Sequence, residues 1–250
     1  MPTATRTASI ATTRGSRRPL SASASPSAWY PAGVSSKAVL LTGSGRGFCA
    51  GQDLGDRDPR KLDDIDLGKT VRNLWAPLVR QIRALEMPVV CAVNGVAAGA
   101  GANLALACDI VLAARSAKFV QAFGKVGLIP DSGGTWLLPR LVGIARARAL
   151  VMLAEPVTAE TAESWGMIWR AVPDETLMAE AEATVAKLVA LSPQALALSK
   201  QALAASPGNG LAQQLALEAQ LQGEAGRSED YREGVEAFLE KRAPRFGKRP

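Results

Sequence analysis

Two short, wholly apolar runs, each closed by a glycine turn, constrain the fold of this chain more than any other feature. Ala38 to Thr42 runs into Gly43, and Val89 to Val93 runs into Asn94-Gly95. Runs of this length bounded by turn residues are typical of strands buried on both faces. Such strands occur mainly in parallel sheets covered by helices, so the chain is predicted to have an α/β fold.

Segments of helical pattern connect these strands. Leu67 to Leu85 carries an apolar stripe at helical spacing, which Pro77 should bend or interrupt and Pro88 should end. A small-residue helix is predicted from about Ala100 to Ala107, followed by a third strand from Asp109 to Ala113. The order strand, turn, helix, strand therefore repeats, as expected for an α/β core.

The chain beyond Gly134 is mostly helical in pattern. Four amphipathic helices are predicted near its end, at Asp174 to Leu191, Pro193 to Ala205, Gly210 to Gly223 and Ser228 to Lys241. Such a series after an α/β core indicates either packing against a partner subunit or a self-contained helical subdomain. The pattern alone does not separate the two.

Composition restricts the class of protein. The 250 residues are 48% hydrophobic, which is enough for one large or two small domains with a sizeable core. No apolar run approaches the roughly 20 residues of a membrane span. The net charge is +6, but four arginines fall within residues 1–36, which contain no acidic residue, so most of the excess positive charge lies in that segment. Because Phe and Tyr are few, no stacking platform for nucleic acid is expected.

Residues 1–36 are rich in Ser, Thr, Ala, Arg and Pro and show no hydrophobic periodicity. This segment is expected to be disordered or poorly packed, because it has little apolar surface to offset the entropy of ordering. Its composition fits a transit peptide, and it equally fits a shifted reading frame upstream of Lys37.

The absence of histidine from the chain excludes several kinds of site. Asp131-Ser132-Gly133-Gly134 is not expected to be a serine-protease motif, because no histidine is present to activate the hydroxyl. A histidine-dependent metal site is impossible, and Cys49, Cys91 and Cys108 are too scattered for a thiolate cluster. They are expected to be buried or half-buried thiols in a reducing compartment. The glycine turn at 43–47 lacks the third glycine of a dinucleotide fingerprint, so no nicotinamide or flavin site is expected.

A single carboxylate stands in a tight, glycine-closed turn at the mouth of a predicted helix. The turn is Gly127-Leu128-Ile129-Pro130-Asp131-Ser132-Gly133-Gly134-Thr135-Trp136. Asp131 either caps the helix that begins near Gly134 or acts as an acid or base. The turn by itself favours capping, and the rest of the chain reverses that preference.

Two glycine-rich turns follow the first two strands, at 48–54 and 94–103. Each can present bare backbone N–H groups, and two of these can converge on one oxygen atom if the turns lie side by side. A helix starting near Ala100 would add the positive end of its dipole. Close helix packing through Gly and Ala is the competing explanation, and the turns alone slightly favour it.

Three stretches and the C-terminal helix carry a more specific pattern. They are Gly45-Arg46-Gly47-Phe48-Cys49-Ala50-Gly51-Gln52-Asp53-Leu54, Ala92-Val93-Asn94-Gly95-Val96-Ala97-Ala98-Gly99-Ala100-Gly101, Gly127 to Arg140, and Ala225 to Arg242. With these residues the chain resembles the crotonase (enoyl-CoA hydratase/isomerase) superfamily, from Lys37 to the end. Within it, the chain is most similar to the branch that isomerises an epoxide of phenylacetyl-CoA in phenylacetate catabolism.

The resemblance implies a crotonase-like spiral of ββα units, a C-terminal helical trimerisation region and an acyl-CoA thioester as substrate. It implies that the backbone N–H groups of Gln52 and Ala100 form an oxyanion hole for the thioester carbonyl, and that Asp131 is catalytic. The substrate-binding positions that it implies are Ala50, Asp53, Leu54, Gly99, Asn103, Phe123 and Lys241. Lys241 and Phe238 would reach the CoA of a neighbouring subunit. No metal is implied, and no cofactor other than the coenzyme A of the substrate.

Departures from the hydratase pattern of this family indicate the reaction. The positions of the two hydratase glutamates correspond to Asn103 and Phe123, neither of which can act as a base. Hydration is therefore disfavoured, and Asp131 matches the carboxylate with which isomerases remove a proton at one carbon and return it at another.

The expected reaction is isomerisation of 2-(1,2-epoxy-1,2-dihydrophenyl)acetyl-CoA, of 3-enoyl-CoA to 2-enoyl-CoA, or of both. The alternatives are a non-catalytic acyl-CoA-binding homologue, a hydratase, or a dehalogenase. Dehalogenation by this route would need a histidine to activate water, and the chain has none.

The resemblance also divides the chain into an atypical segment at 1–36, an acyl-CoA-binding core at 37–191 and a helical oligomerisation region at 192–250. It implies a homotrimer or a dimer of trimers in the cytoplasm, in aromatic degradation or fatty acid metabolism, without nucleic-acid or membrane partners. The family normally opens with two strands, an Asn-Arg-Pro turn and a helix, none of which is found in residues 1–36. A frame error there is favoured, because a transit peptide would precede those strands rather than replace them.

Overall fold

The computed structural model describes the backbone of residues 6–10 and residues 37–60 and 66–247. Five strands form the larger sheet, in this order and with parallel neighbours: β1 (Arg6–Ile10), β2 (Val39–Gly43), β4 (Val89–Val93), β6 (Ile110–Ala114) and β9 (Arg170–Val172). The smaller sheet contains β3 (Gly47–Cys49), β5 (Val96–Ala98), β7 (Lys118–Val120) and β8 (Pro156–Thr158). Its neighbours are parallel except for the antiparallel pair of β7 and β8.

The two sheets alternate along the chain. A strand of the larger sheet is followed by a strand of the smaller sheet at β2 and β3, at β4 and β5, and at β6 and β7. This alternation agrees with the predicted repeat of ββα units. The turns that follow β2 and β4 lie at the same end of the larger sheet, because those strands are parallel neighbours.

Helices cover the sheets and connect their strands. They are α1 (Leu67–Thr70), which continues into a π-helical segment (Val71–Trp75) and α2 (Ala76–Ala84), then α3 (Ala100–Leu106), α4 (Gly134–Leu153), α5 (Ala159–Ser164), α6 (Leu177–Val189), α7 (Pro193–Ala205), α8 (Leu211–Ala225) and α9 (Glu229–Leu239). Gly143 kinks α4, because its φ of 77° and ψ of 161° are not helical. The four helices predicted near the C-terminus correspond to α6, α7, α8 and α9 and are confirmed, with bounds that differ by a few residues at most.

The core lies between the larger sheet and its helices. Every residue of β4 is buried, and α6 packs against β2, β4 and β6 through Leu177, Ala181 and Val185. Full burial of a Val or Leu side chain stabilises a fold by about 1.5–3 kcal/mol. The prediction of parallel strands buried on both faces is therefore confirmed for β2, β4 and β6.

The smaller sheet was not predicted, because its first two strands lie in segments whose glycine content indicates turns. Each of β3, β5 and β7 is only 3 residues long. A strand so short shows no alternation that distinguishes it from a turn. Its identity depends on pairing with the neighbouring strand, which is a tertiary contact.

The predicted helix from Leu67 to Leu85 is interrupted by the π-helical segment. Pro77 follows directly, at the start of α2. Proline has no backbone N–H and its ring clashes with the preceding turn, so regular α-helical bonding does not continue across it. The predicted break is therefore present, on the N-terminal side of the proline.

The prediction of disorder within residues 1–36 does not hold for Arg6–Ile10, which pairs in parallel with β2 from Arg6 with Val39 to Ile10 with Gly43. The exposed backbone edge of a strand can pair with a segment that has no hydrophobic pattern, because the bonds involve only main-chain groups. The rest of that segment lies outside the described residues. No helix in the described part of the chain is long and apolar enough to cross a membrane.

Candidate active site

The two glycine-rich turns that follow β2 and β4 are joined by Asn94. Its Oδ1 accepts a hydrogen bond from the Gly43 amide at 3.0 Å. Its Nδ2 donates to the carbonyl oxygens of Gly45 at 2.9 Å and Gly47 at 3.3 Å. These bonds join the turn at 43–47 to the start of the segment at 94–103. The segments at 48–54 and 94–103 themselves lie side by side because β3 pairs in parallel with β5. This is the condition under which two backbone amides can converge on one oxygen atom.

Gly51 brings the turn that carries Gln52 against the first turn of α3. Its φ is +82°, and a Cβ added there would lie 3.2 Å from the Ala100 nitrogen and 3.1 Å from the Ala98 oxygen. Glycine is therefore required both by the left-handed backbone and by the close approach. Among the hydrogen bonds of the described residues, neither the Gln52 N–H nor the Ala100 N–H has an acceptor. Both amides are thus free to bind a ligand oxygen.

The turn that carries Asp131 has two consecutive residues in the left-handed region. They are Ser132, with φ 51°, and Gly133, with φ 82°. The Asp131 carbonyl accepts a hydrogen bond from Gly134 N at 2.9 Å, and its carboxylate Oδ1 accepts one from the Ser132 hydroxyl at 2.8 Å. A non-glycine residue in this region costs about 1–2 kcal/mol, so the packing of the buried Ser132 must maintain the turn.

The capping alternative for Asp131 is wrong. Helix α4 does begin at Gly134, as predicted, but Gly133 occupies the N-cap position and no side chain caps the helix. Two left-handed residues separate Asp131 from the first helical residue, so its carboxylate lies outside the capping position. The carboxylate is instead half-buried beside the Ser132 hydroxyl.

The environment of Asp131 disfavours ionisation of its carboxyl group relative to an exposed aspartate. Burial raises the pKa of Asp131 above its ordinary value, and the hydrogen bond from Ser132 opposes that rise in part. Desolvation disfavours the charged carboxylate, whereas a donated hydrogen bond favours it. A carboxyl group whose pKa is raised holds and returns a proton more readily near neutral pH than an exposed one.

Asn103 connects the Asp131 turn to α3. Its side chain is completely buried, its Nδ2 donates to the Asp131 carbonyl at 2.8 Å, and its Oδ1 accepts from Gln121 Nε2 at 2.9 Å. A Cβ at Gly134 would collide with this side chain. Ala100 and Asn103 lie three residues apart on one helix, a rise of about 4.5 Å. The helix that begins with one free amide therefore also holds the candidate carboxylate in place.

The other predicted positions differ in their surroundings. Ala50, Asp53 and Leu54 lie with Gln52 in one exposed loop, where Asp53 accepts a hydrogen bond from Gly55 N at 2.8 Å. Gly99 has φ 54°, and a Cβ there would lie 3.7 Å from the buried Phe123 ring.

Asn103 and Phe123 are both buried, and the two side-chain atoms of the Asn103 amide already have protein partners. The predicted contact of these two residues with substrate stays a prediction. The structure shows Asn103 in a supporting position, bonded to Asp131 and Gln121. Lys241 is exposed just after α9, and none of the contacts among described residues joins it to this site. Ser132, Asn94 and Gln121 were not among the residues predicted from the sequence, because their partners come from other parts of the fold or from the turn geometry.

Burial makes Cys49 and Cys91 poor sources of a thiolate. Cys49, Cys91 and Cys108 are free and buried, within the range of the prediction. Burial raises the pKa of Cys49 and of Cys91, so these thiols remain protonated near neutral pH. In the part of the chain that the structure describes, no cluster of His, Cys, Asp and Glu side chains is suited to hold a metal ion.

Comparison with known proteins assigns the chain to a family. Residues 33–249 match the family model for enoyl-CoA hydratase/isomerase. The chain is 56% identical over 211 residues to the 1,2-epoxyphenylacetyl-CoA isomerase of Escherichia coli (strain K12), covering 84% of this chain and 80% of that protein. It is 51% identical over 210 residues to a probable enoyl-CoA hydratase of Rhodobacter capsulatus, with 84% and 80% covered.

A crystal structure of an enoyl-CoA hydratase from Polaromonas sp. JS666 has a TM-score of 0.79 at 35% identity, covering 85% of this chain and 82% of that one. The chain therefore belongs to the enoyl-CoA hydratase/isomerase family, which is a family of enzymes. The crotonase-like α/β fold is confirmed.

Proposed function

We propose that this protein is an acyl-CoA isomerase that acts through a thioester enolate. The observation that carries the proposal is that Asn103, on the helix that begins with the free Ala100 amide, donates a hydrogen bond to the main-chain carbonyl of Asp131. The side chain of Asp131 is the half-buried carboxyl group whose pKa is raised by burial. The name of the E. coli relative supports an isomerase that acts on 1,2-epoxyphenylacetyl-CoA. A 3-enoyl-CoA is proposed as the second class of substrate.

The thioester carbonyl oxygen would accept hydrogen bonds from the Gln52 and Ala100 amides. Two such donors stabilise the negative charge that develops on this oxygen when a proton leaves the adjacent carbon. Removal of one donor of this kind typically costs about 3–4 kcal/mol of transition-state stabilisation. Glycine at position 51 is what allows the two amides to approach each other.

Asp131 would carry the proton. With a 3-enoyl-CoA, its carboxylate removes a proton from C2, the electron pair moves into the dienolate, and the carboxyl group returns the proton at C4. The double bond then lies between C2 and C3. The epoxide substrate has an acidic CH₂ at the same position beside the thioester, so the first step is shared. The raised pKa suits a group that must both accept and return a proton.

Hydration is the competing activity, because the R. capsulatus relative is named as a probable hydratase. Two carboxylates position water in hydratases of this family, and this chain has Asn103 and Phe123 at the corresponding places. Both side chains are buried and neither is a base. These residues support isomerisation over hydration.

The decisive experiment incubates the purified protein with a 3-enoyl-CoA in deuterated water and follows formation of the 2-enoyl isomer and of any 3-hydroxyacyl-CoA. Wild type is expected to give the isomer, whereas Asp131→Asn is expected to be slower by about 100-fold or more. Asp174→Asn, at an exposed aspartate, serves as the matched control. Equal rates in Asp131→Asn and wild type would remove Asp131 from the mechanism, and binding of acyl-CoA without turnover would leave a binding protein.

A homotrimer or a dimer of trimers is proposed for the assembly. Large apolar side chains lie exposed on the C-terminal helices, at Leu203, Leu211, Leu215, Phe238 and Leu239. Burial of such surface against other copies would remove it from water at a gain of about 25 cal/mol per Å². The test is the molar mass in solution by light scattering, where a monomeric mass would exclude the trimer.

The proposed cellular setting is the cytoplasm, and no cofactor beyond the coenzyme A of the substrate is proposed. Three buried, free thiols support a reducing compartment. Full activity after exhaustive dialysis against a metal chelator would support the absence of a metal requirement.

A further inference from the structure

The side chain of Gln52 is held by a residue from a distant part of the chain. Trp75 Nε1 donates a hydrogen bond to Gln52 Oε1 at 3.3 Å, across 23 positions of sequence. On its other side, Gln52 Nε2 lies 3.5 Å from the Asp53 carbonyl oxygen. The Trp75 ring is half-buried and packs against the hydrophobic core, so it is a fixed point for the Gln52 side chain.

The π-helical segment determines where Trp75 lies. Trp75 is the last residue of Val71–Trp75, with α-helix on both sides. A π-turn adds about one residue to a helical turn, which rotates the preceding residues about the axis by roughly 100° relative to an unbroken α-helix. The three residues at 72–74 are exposed, whereas Trp75 is turned inward. π-Helical turns are frequent at functional sites, and here the turn ends beside the candidate oxyanion hole.

The Gln52 peptide follows a residue of high backbone freedom. Gly51 precedes it with φ +82°, and glycine is the residue with the most backbone freedom. The Gln52 N–H itself has no protein acceptor among the described residues that would hold it in one orientation. The hydrogen bond from Trp75 to the Gln52 side chain can therefore keep the Gln52 amide pointed at the same oxygen atom as the Ala100 amide.

From this geometry we infer that Trp75 is a positioning residue for the main-chain amide of Gln52, acting through the Gln52 side chain. The inference rests on the proposed function, since it concerns the oxyanion hole of that reaction. Displacement of a reacting group by about 1 Å can cost about 100-fold in rate. The loss of one hydrogen bond at 3.3 Å is a smaller change, so about a 10-fold loss of kcat is expected.

The test compares wild type with Trp75→Phe, Gln52→Leu and the double variant. Phenylalanine keeps the aromatic packing and removes the donor, and leucine keeps the bulk of Gln52 and its backbone amide. Each single variant is expected to lower kcat for the 3-enoyl-CoA about 10-fold, with KM within about 2-fold of wild type. The double variant is expected to be no slower than the slower single variant, because both changes remove the same bond.

A spectroscopic measurement reports the oxyanion hole without requiring Asp131. Acetoacetyl-CoA absorbs in the ultraviolet as its enolate, so the absorbance of the bound ligand gives the enolate fraction. That fraction is expected to fall in Trp75→Phe and in Gln52→Leu. Trp169→Phe, at an exposed tryptophan, is the control and is expected to match wild type.

The outcomes separate the two proposals. A wild type that neither isomerises the 3-enoyl-CoA nor enolises acetoacetyl-CoA overturns the proposed function and with it this inference. An active wild type with unchanged kcat and enolate fraction in Trp75→Phe overturns the inference alone. Additive losses in the double variant, or losses that follow only a lowered melting temperature, also overturn it, because they indicate a general packing role.

Discussion

The Asn103 side-chain amide donates a hydrogen bond to the Asp131 carbonyl at 2.8 Å, across 28 positions of sequence. Gln121 donates to the other end of the same amide, so both polar atoms of this buried side chain have a partner. The bond attaches the turn of the candidate carboxylate to the helix that begins at Ala100. The proton carrier is thereby linked to the Ala100 side of the proposed oxyanion hole.

Asn103→Leu is expected to lower the free energy of unfolding by about 1–3 kcal/mol, because it leaves the buried Gln121 amide and a lone pair of the Asp131 carbonyl without partners. Urea denaturation followed by circular dichroism measures the change. Asn209→Leu, which breaks a bond to Gln214 near the surface, is the control and should cost less than about 1 kcal/mol. Equal losses in the two variants would contradict the supporting role of Asn103.

The pH dependence of stability should identify Asp131 as a carboxyl group with a raised pKa. Burial raises its pKa above the ordinary 3.8, so the folded state binds this proton more tightly than the unfolded chain does. The stabilisation is complete below the unfolded pKa and is lost as pH rises through the folded pKa. Asp131→Asn, which cannot ionise, should therefore be more stable than wild type at neutral pH.

Thermal melts of wild type and Asp131→Asn between pH 3 and pH 8 check this sign. The stability advantage of the variant should shrink towards low pH, where the wild-type carboxyl group is also neutral. Asp174→Asn should change in the opposite direction, because hydrogen bonds from Ser116 lower the pKa of Asp174 and stabilise the charged form. An advantage of Asp131→Asn that is independent of pH would exclude ionisation as its cause.

Gly51 and Gly45 both have a left-handed backbone. Comparison of their alanine variants therefore separates the effect of backbone strain from the effect of the close approach between the two turns. Gly51→Ala places a Cβ at 3.2 Å from the Ala100 nitrogen, whereas Gly45→Ala, with φ +76°, meets nothing within 4 Å. Both variants pay a similar backbone cost of about 1–2 kcal/mol. Only Gly51→Ala is expected to lower kcat/KM, by about 100-fold, since only it displaces the free amides.

Initial rates with a 3-enoyl-CoA and urea unfolding of both glycine variants test this prediction. Similar losses of stability together with different losses of activity are the expected result. If Gly45→Ala lost as much activity as Gly51→Ala, backbone strain rather than the close approach would be responsible.

Lys200 attaches the C-terminal helices to the core. Its Nζ lies 2.7 Å from Asp109 Oδ2 and donates to the carbonyl oxygens of Ile82 at 3.1 Å and Met87 at 3.3 Å. Lys200→Met keeps most of the side-chain packing and removes the charge. The expected loss is about 1–3 kcal/mol of unfolding free energy, because partly buried acceptors lose their donor.

Arg72→Met provides the comparison for Lys200→Met. The ion pair of Arg72 with Asp66 is exposed, with 69% and 50% of the two side chains accessible. Exposed pairs of this kind contribute about 0–1 kcal/mol. Chemical denaturation of both variants should therefore rank Lys200→Met as the more destabilising, and the reverse order would contradict the anchoring role of Lys200.

Much of the fold followed from patterns that lie within short stretches of sequence. The strands that became β2, β4 and β6 were predicted to within a residue or two, and α7 was predicted with its bounds at Pro193 and Ala205. Hydrophobic periodicity and proline placement are local signals, so they predict long elements well. They failed for the three-residue strands of the smaller sheet, whose existence depends on a neighbour.

The sequence by itself determined the parallel α/β core, the order of its elements, the family that the motifs resemble and the position of Asp131 at the start of a helix. Only the tertiary structure decided that Asp131 does not cap that helix, that Asn103 supports it, and that Trp75 bonds to Gln52. The physical reason is the sequence separation over which each kind of signal acts. Apolar spacing acts over one or two turns of chain, whereas a hydrogen bond between residues 23 or 28 positions apart exists only after packing has brought the two partners together.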